Sequence, residues 1–266
     1  MKDKHTTAEI LRWYLYSGVD ETIGEVPQNR FINVNLKEDT PTKKEQINNS
    51  SKIISQGSVM TETSLQEACK IAAAAKSVEE LKNTLLNYAG CSLRKTATNL
   101  VFGDGNPKAN IVLLGESPGA EEDRSGLPFV GPGGQLLDKM LASIGLDRNK
   151  VFLSNTVFWR PPGSRTPTAQ ETGICIPFVE RLLELIDPEI LIILGGAAAK
   201  SLLAKTAAVS RLRGKWYTYS TPMLSRPIQA TVVFHPDYLL SSPVHKRNTW
   251  QDLLMIREKL KSIGLN

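Results

Sequence analysis

Four short apolar runs mark the second two-thirds of the chain: NIVLLG (110–115), KVFLSN (150–155), EILIILGG (189–196) and QATVVFHP (229–236). Each has the length of a strand and little polar alternation, the pattern of strands covered on both faces of a parallel sheet. Segments with apolar residues at helical spacing separate and follow them, over about 132–145, 168–186, 196–204 and 245–262. Strand–helix alternation of this kind predicts an α/β domain, a doubly wound sheet with helices on both faces. GKWYTYS (214–220) and a return segment predict an antiparallel pair ahead of the last core strand.

Upstream, Leu65, Ala68, Cys69 and Ala72, then Val78, Leu81, Leu85 and Leu86, give helical spacing across 64–88. Residues 8–17 (AEILRWYLYS) predict a short helix, and 27–63 are polar without sustained periodicity, as in a tether. The division expected is an N-terminal helix and polar linker over 1–63, then one domain over 64–266.

The strand pattern also places the chemistry. Glu116 follows the first run, Asn155 ends the second, Gly195 and Gly196 follow the third, and His235 follows the fourth. In open α/β sheets ligands bind in the crevice outside the carboxyl ends of the strands, so four distant segments are expected to meet at one pocket.

Composition narrows the class without naming it. The chain has 266 residues, 41% hydrophobic and 22% charged, with net charge +5, and a pI near 9.0. That is enough to bury a sizeable core, and it leans towards a polyanionic partner. No apolar run approaches the roughly 18 residues of a membrane span. Three cysteines, Cys69, Cys91 and Cys175, make no disulfide framework, and the N-terminus lacks a signal-peptide pattern. A cytoplasmic protein is expected.

The segment after the first strand, GESPGAEEDRSGLPFVGPGGQLLDKML (115–141), is the most informative. Gly-rich turns between strand and helix usually cradle phosphate. This one holds Glu116, Glu121, Glu122 and Asp123, which would repel it. Glu121 and Asp123 also suit a solvated helix start; Glu116, beside Gly115 at the strand end, suits that reading less. Phe129 is either a core plug or a flat platform for a ring. Asn155 is either a turn residue or an amide presenting donor and acceptor side by side to a base edge. His235, fixed by the proline of FHPDYLL, is either structural or a functional imidazole. His5 and His245 lie in polar settings and take the structural reading. Arg160 and Arg165 in RPPGSRTPT, with Lys246 and Arg247, are either surface charge or phosphate contacts. No phosphate-loop motif is present, which weakens the alternative of a nucleotide-binding α/β enzyme.

GESPGAEED, GLPFVGPGGQLLD, SNTVFWRPPGSRTPT, Cys175 before IPF, LGGAAAKSLL and FHPDYLLSSP occur in an order and spacing that resemble bacterial uracil-DNA glycosylases, most of all those of family 4, over about residues 88–260. The resemblance implies a three-layer α/β/α sandwich with a central, mainly parallel four-stranded sheet. It also implies a hydrolase that flips uracil out of DNA and cuts the base–sugar bond to begin base-excision repair. By the same resemblance Phe129 stacks on uracil, Asn155 reads its edge, and His235 stabilises the departing anion. Tyr238, Leu239 and Leu240 wedge into the base stack. Glu116 and Glu122 match the acids of the first motif, with Gly115 and Ser117 lining the pocket. An acidic turn then makes sense, because carboxylates favour the cationic sugar of the transition state.

The chain departs from the pattern in places. The family holds an iron–sulfur cluster on four cysteines; Cys91 and Cys175 match, but Tyr88 and Trp159 stand at the other two positions. The expectation is no cluster and no other metal, with Tyr88 and Trp159 packing in its place. Ser117 offers no strong base where the best-known family has an Asp, which implies a largely dissociative mechanism. Ser241 replaces a common Arg, so one phosphate contact fewer is expected. No histidine insertion follows Asn155, so free turnover without covalent trapping is expected. No lysine nucleophile appears in the matched motifs, so the enzyme is expected to be monofunctional. The partner expected is uracil-containing DNA, with no membrane and a monomeric state. Residues 1–63 are a candidate recruiting segment for repair or replication proteins. The alternatives are a glycosylase for other deaminated bases, or a non-catalytic DNA-binding module on the same scaffold.

Overall fold

The computed structural model describes residues 64–265; the short helix over 8–17 and the linker lie outside them. Residues 64–88, expected to be helical, form two helices, α1 over residues 64–74 and α2 over Val78–Asn87. The break has a local cause. Ser77 adopts extended backbone and its hydroxyl accepts from the Glu80 amide, which starts a fresh helix at Val78.

Strands β1 (Asp104–Gly105), β2 (Ile111–Gly115), β3 (Phe152–Asn155), β4 (Ile190–Leu194), β5 (Trp216–Tyr219) and β6 (Ile228–Val233) form one sheet in the order β1-β3-β2-β4-β6-β5. The inner four, β3-β2-β4-β6, are parallel, as expected. Each edge gains a short antiparallel strand. β5 pairs directly with β6, so the return of GKWYTYS is the last core strand itself, not a separate strand before it.

Helices α3 (Ala120–Ser125), α4 (Pro132–Ala142), α5 (Ala169–Ile186), α6 (Gly196–Leu203), α7 (Val209–Leu212), α8 (Pro236–Ser241) and α9 (Lys246–Ser262) complete the described α-helices. Side-chain alternation along the strands divides the core into two layers. Val112, Leu114, Leu191, Ile193 and Val232 face a cluster with Leu81 and Leu85 of α2 and Phe178 and Leu182 of α5. Ile111, Leu113, Ile192 and Val233 face one with Leu137 and Leu141 of α4 and Leu253 and Ile256 of α9. The result is an α/β/α sandwich. Every residue of β2 and β4 is buried, which is why their runs are apolar without a break.

Register sets the position of the site. Gly115 stands opposite Asn155, Leu114 opposite Ile193, and Leu194 opposite Val233. The Gly195 amide donates to the Val233 carbonyl at 2.9 Å. Glu116, Asn155, Gly195 and His235 therefore leave the sheet along a single edge. Among the described residues no helix is long and apolar enough to cross a membrane.

Candidate active site

At Gly115 this edge is tightly closed. A Cβ there would come 2.5 Å from Asn155 Oδ1 and 2.8 Å from the tip of the Phe129 ring. Both groups close in on bare backbone, and any side chain would push them apart. Asn155 is buried at the end of β3. Phe129 is buried too, and its backbone is left-handed at φ 53°, a conformation costly for a residue with a Cβ. Gly134 makes this possible, since a Cβ there would fall 1.7 Å from the Phe129 carbonyl oxygen. The Phe129 ring centroid lies 6.1 Å from that of His235, with the planes 36° apart.

His235 caps α8. Its Nδ1 accepts from the Asp237 amide at 3.3 Å, which places the proton of the neutral ring on Nε2. Burial pushes its pKa below the usual histidine value, against the opposing pull of the Asp237 and Glu122 carboxylates. A neutral imidazole with one N–H free to donate is the outcome.

The acids after β2 have separate fates. Glu116 is half-buried and desolvation raises its pKa; its Oε1 is buried without a hydrogen-bond partner. Its backbone is fixed, because the Thr156 hydroxyl and the Val157 amide both donate to its carbonyl. Glu122 Oε1 instead accepts from the amides of Val130 and Gly131, each at 3.1 Å. Asp123 is buried, and one oxygen accepts from the Thr98 and Asn99 amides; the solvated reading does not hold for it. Glu121 is exposed, as that reading expects. Glu116 also joins two cavities. One, of about 410 Å³, is lined by Gly195, Gly196, Phe234, His235 and Tyr238. The other, of about 340 Å³, is lined by Thr156, Thr166, Thr172, Lys200 and Ser201. Each is in the range that takes a small ligand.

The outer candidates are sorted by exposure. Tyr238 and Leu240 are each 42% exposed, whereas Leu239 is buried at 1%, so Leu239 packs into the core and is not open to a wedge role. Lys246 and Arg247 are exposed and Ser117 is half-buried. Arg160 bonds the Ser164 hydroxyl. Arg165 is committed to a bidentate pair with Glu171 at 2.8 and 2.7 Å, which holds the Glu171 carboxyl at about 2. Glu171 also closes a capping box with Thr168 at the start of α5. Arg165 is thus a structural cation rather than a free phosphate ligand.

Sequence reasoning missed two contributors. His245 stacks on Phe234 and Tyr238, with centroids 4.8 and 5.4 Å away; its polar neighbours in sequence concealed an aromatic setting. Arg148, in the turn LDRNK, reaches the loop of Phe129. No periodicity or motif marks it.

The family model described as the uracil DNA glycosylase superfamily matches residues 102–254. The chain belongs to this superfamily. Its relatives include the type-4 uracil-DNA glycosylase of Archaeoglobus fulgidus, 36% identical over 187 residues that make up 69% of this chain and 93% of that one. The type-4 enzyme of Thermotoga maritima is 38% identical over 190 residues, 70% of this chain and 96% of its own. That of Sulfurisphaera tokodaii is 35% identical over 187 residues, 68% and 84% of the two chains. The family match contains all the candidate residues from Gly115 to Arg247.

Membership corrects one expectation. The matched relatives are type-4 enzymes, and that type carries an iron–sulfur cluster, so a domain without a cofactor is not what its family supports. The four ligand positions of this chain are unequal to the family's set. Cys91 and Cys175 are buried and share a hydrogen bond, Cys175 keeping the Cys91 thiol below its usual pKa. Tyr88 is buried against Phe178 at 5.0 Å between centroids, and desolvation pushes its phenol up to about 12. Trp159 lies edge-on to Phe158 in the same layer. Among the described residues no three His, Cys, Asp or Glu side chains are grouped to hold a metal ion. Two thiols, Cys91 and Cys175, stand at these positions, where such a cluster takes four thiolates.

Proposed function

We propose that this protein is a uracil-DNA glycosylase, a hydrolase that cuts the bond between uracil and deoxyribose in DNA and so starts base-excision repair. The observation that carries the reading is the strand-end edge itself. A desolvated carboxylate with an unpartnered oxygen, Glu116, shares a cavity with a neutral histidine, His235.

The chemistry follows from that pairing. As the C1′–N1 bond breaks, its electrons leave with the base as a uracil anion and positive charge develops on the sugar. The Nε2–H of His235 donates to uracil O2. Glu116 stabilises the cationic sugar and orients the water whose oxygen bonds to C1′, and that water's proton passes to solvent or to the carboxylate. Glu122 is occupied by loop amides, which favours Glu116 for this role. With no strong base at Ser117, bond breaking runs ahead of water attack. Phe129 stacks on the base. The Asn155 amide accepts from N3–H and donates to O4, an arrangement cytosine cannot match, and a buried amide left unmatched costs about 1–3 kcal/mol.

Tyr238 and Leu240 fill the gap left in the stack, and Arg160, Lys246 and Arg247 face the backbone phosphates. No lysine lines the cavity that holds His235, and Lys200 lines the second cavity that Glu116 shares; base removal without strand cleavage is proposed on the first of these. A cytoplasmic monomer, with residues 1–63 as a recruiting segment for repair or replication proteins, completes the proposal. Retention of Glu116, Phe129, Asn155 and His235 together weighs against a non-catalytic scaffold. The test is an oligonucleotide with one uracil, incubated with the protein and then cleaved with alkali. Cutting at uracil with at least about tenfold losses for His235→Ala and Asn155→Ala is expected. Salt-sensitive DNA binding without cutting would overturn the enzyme reading.

A further inference from the structure

The ring that stacks on the base is held by a loop whose conformation needs an explanation. Phe129 has φ 53°, and a left-handed residue with a Cβ costs about 1–3 kcal/mol and persists only when its surroundings enforce it. Two side chains of opposite charge do so from the two ends of the peptide run. Glu122 Oε1 takes the amides of Val130 and Gly131. Arg148 takes the carbonyls, with Nη1 donating to Pro128 at 3.3 Å and Nη2 donating to Phe129. Gly134 leaves the room in which the Phe129 carbonyl turns towards Arg148.

Arg148 is itself oriented. Its Nε donates to Asp138 Oδ1 on α4 at 2.9 Å, and its Nη1 donates to Asp104 Oδ2 on β1 at 2.8 Å. The two-residue edge strand β1 and the helix after the loop thus converge on one guanidinium. Its planar fork serves two carboxylates and two carbonyls at once, a geometry that a lysine ammonium does not reproduce.

We propose that Arg148 is a positioning residue for uracil recognition: by gripping the carbonyls of Pro128 and Phe129 it keeps the Phe129 backbone left-handed and the ring at stacking angle beside Gly115 and His235. Asp104 and Asp138 aim Arg148, and Glu122 holds the other end of the loop. The inference rests on the glycosylase reading and adds a residue that acts only through Phe129.

A double-mutant cycle on the full chain tests it. Single-turnover excision of uracil is measured for the unaltered protein, Arg148→Ala, Phe129→Ala and the double variant, with thermal melting of each. Arg148→Ala is expected to slow excision about tenfold when Phe129 is present and less than about twofold when Phe129 is already Ala. The inhibition constant of free uracil is expected to rise on Arg148→Ala when Phe129 is present and to stay unchanged on Arg148→Ala when Phe129 is already Ala. If Arg148→Ala does not fold, Arg148→Lys and Asp138→Asn take its place in the same cycle. Excision by the unaltered protein with equal losses in both Phe129 backgrounds overturns this inference alone. No excision by the unaltered protein removes the glycosylase reading and the inference together.

Discussion

Glu116 and Glu122 belong to the same acidic turn, yet Glu116 keeps a buried oxygen without a partner while Glu122 hands its oxygen to the Val130 and Gly131 amides. Glu116→Gln should therefore slow single-turnover excision by about 100-fold or more and leave the melting temperature unchanged or raised. Glu122→Ala should instead release the loop at a cost of about 2–3 kcal/mol, since bonds to a charged acceptor are lost. Melting and rate measured on both variants check the division. Equal rate losses without a drop in melting for Glu122→Ala would contradict it.

The pH profile should fall on the acid side only. Burial lowers the pKa of His235 below 6.5 and raises that of Glu116 above 4.5. The working forms are neutral His235 and ionised Glu116, so the rate should fall towards acid as either takes up a proton, Glu116 above pH 4.5 and His235 below pH 6.5. The stability signs are opposite. An unfolded chain protonates His235 before the folded one does, so this residue makes stability fall as pH decreases below about 6.5. Glu116 binds its proton more readily when folded, so its contribution rises over the lower part of the range. Rates for the unaltered protein between pH 4 and 9 read the first claim, and urea melts of His235→Asn and Glu116→Gln read the second.

Gly115→Ala should cost about tenfold or more in excision with little change in melting. Its Cβ would collide with the Asn155 amide and the Phe129 ring, the two groups proposed to hold the base. A rate within twofold of the unaltered protein would show that the two groups yield without loss.

The wedge should divide by exposure. Leu240→Ala is expected to lower excision from duplex DNA more than from single-stranded DNA, because only the duplex needs a base displaced. Leu239→Ala, buried at 1%, should lower stability by about 2–5 kcal/mol. Melting curves and the duplex-to-single-strand rate ratio separate the two leucines.

What could be read in the sequence was whatever depends on burial and strand order. β2 and β4 are buried on both faces and show it as unbroken apolar runs, so the edge holding Glu116, Asn155, Gly195 and His235 was legible. β1 is two residues long and lacks any pattern. β5 pairs with a strand already assigned to the core, a relation that periodicity does not encode. Hydrogen-bond commitments were equally hidden. Glu116, Glu122 and Asp123 look alike as acids near a helix start, and only the fold shows which amides they meet. Arg165 looks like a phosphate ligand until Glu171 is placed beside it, and Arg148 sits in an ordinary polar turn. The cofactor expectation went astray for a different reason: two substituted cysteines outweighed the trait of the family to which the chain belongs.

The most direct measurement of the central claim is the product of a single turnover on duplex DNA carrying one uracil. The account predicts free uracil and an intact strand with an abasic site in equal amounts, formed by the unaltered protein and nearly absent with Glu116→Gln. Uracil left in the DNA by the folded protein on both duplex and single-stranded substrates would contradict it.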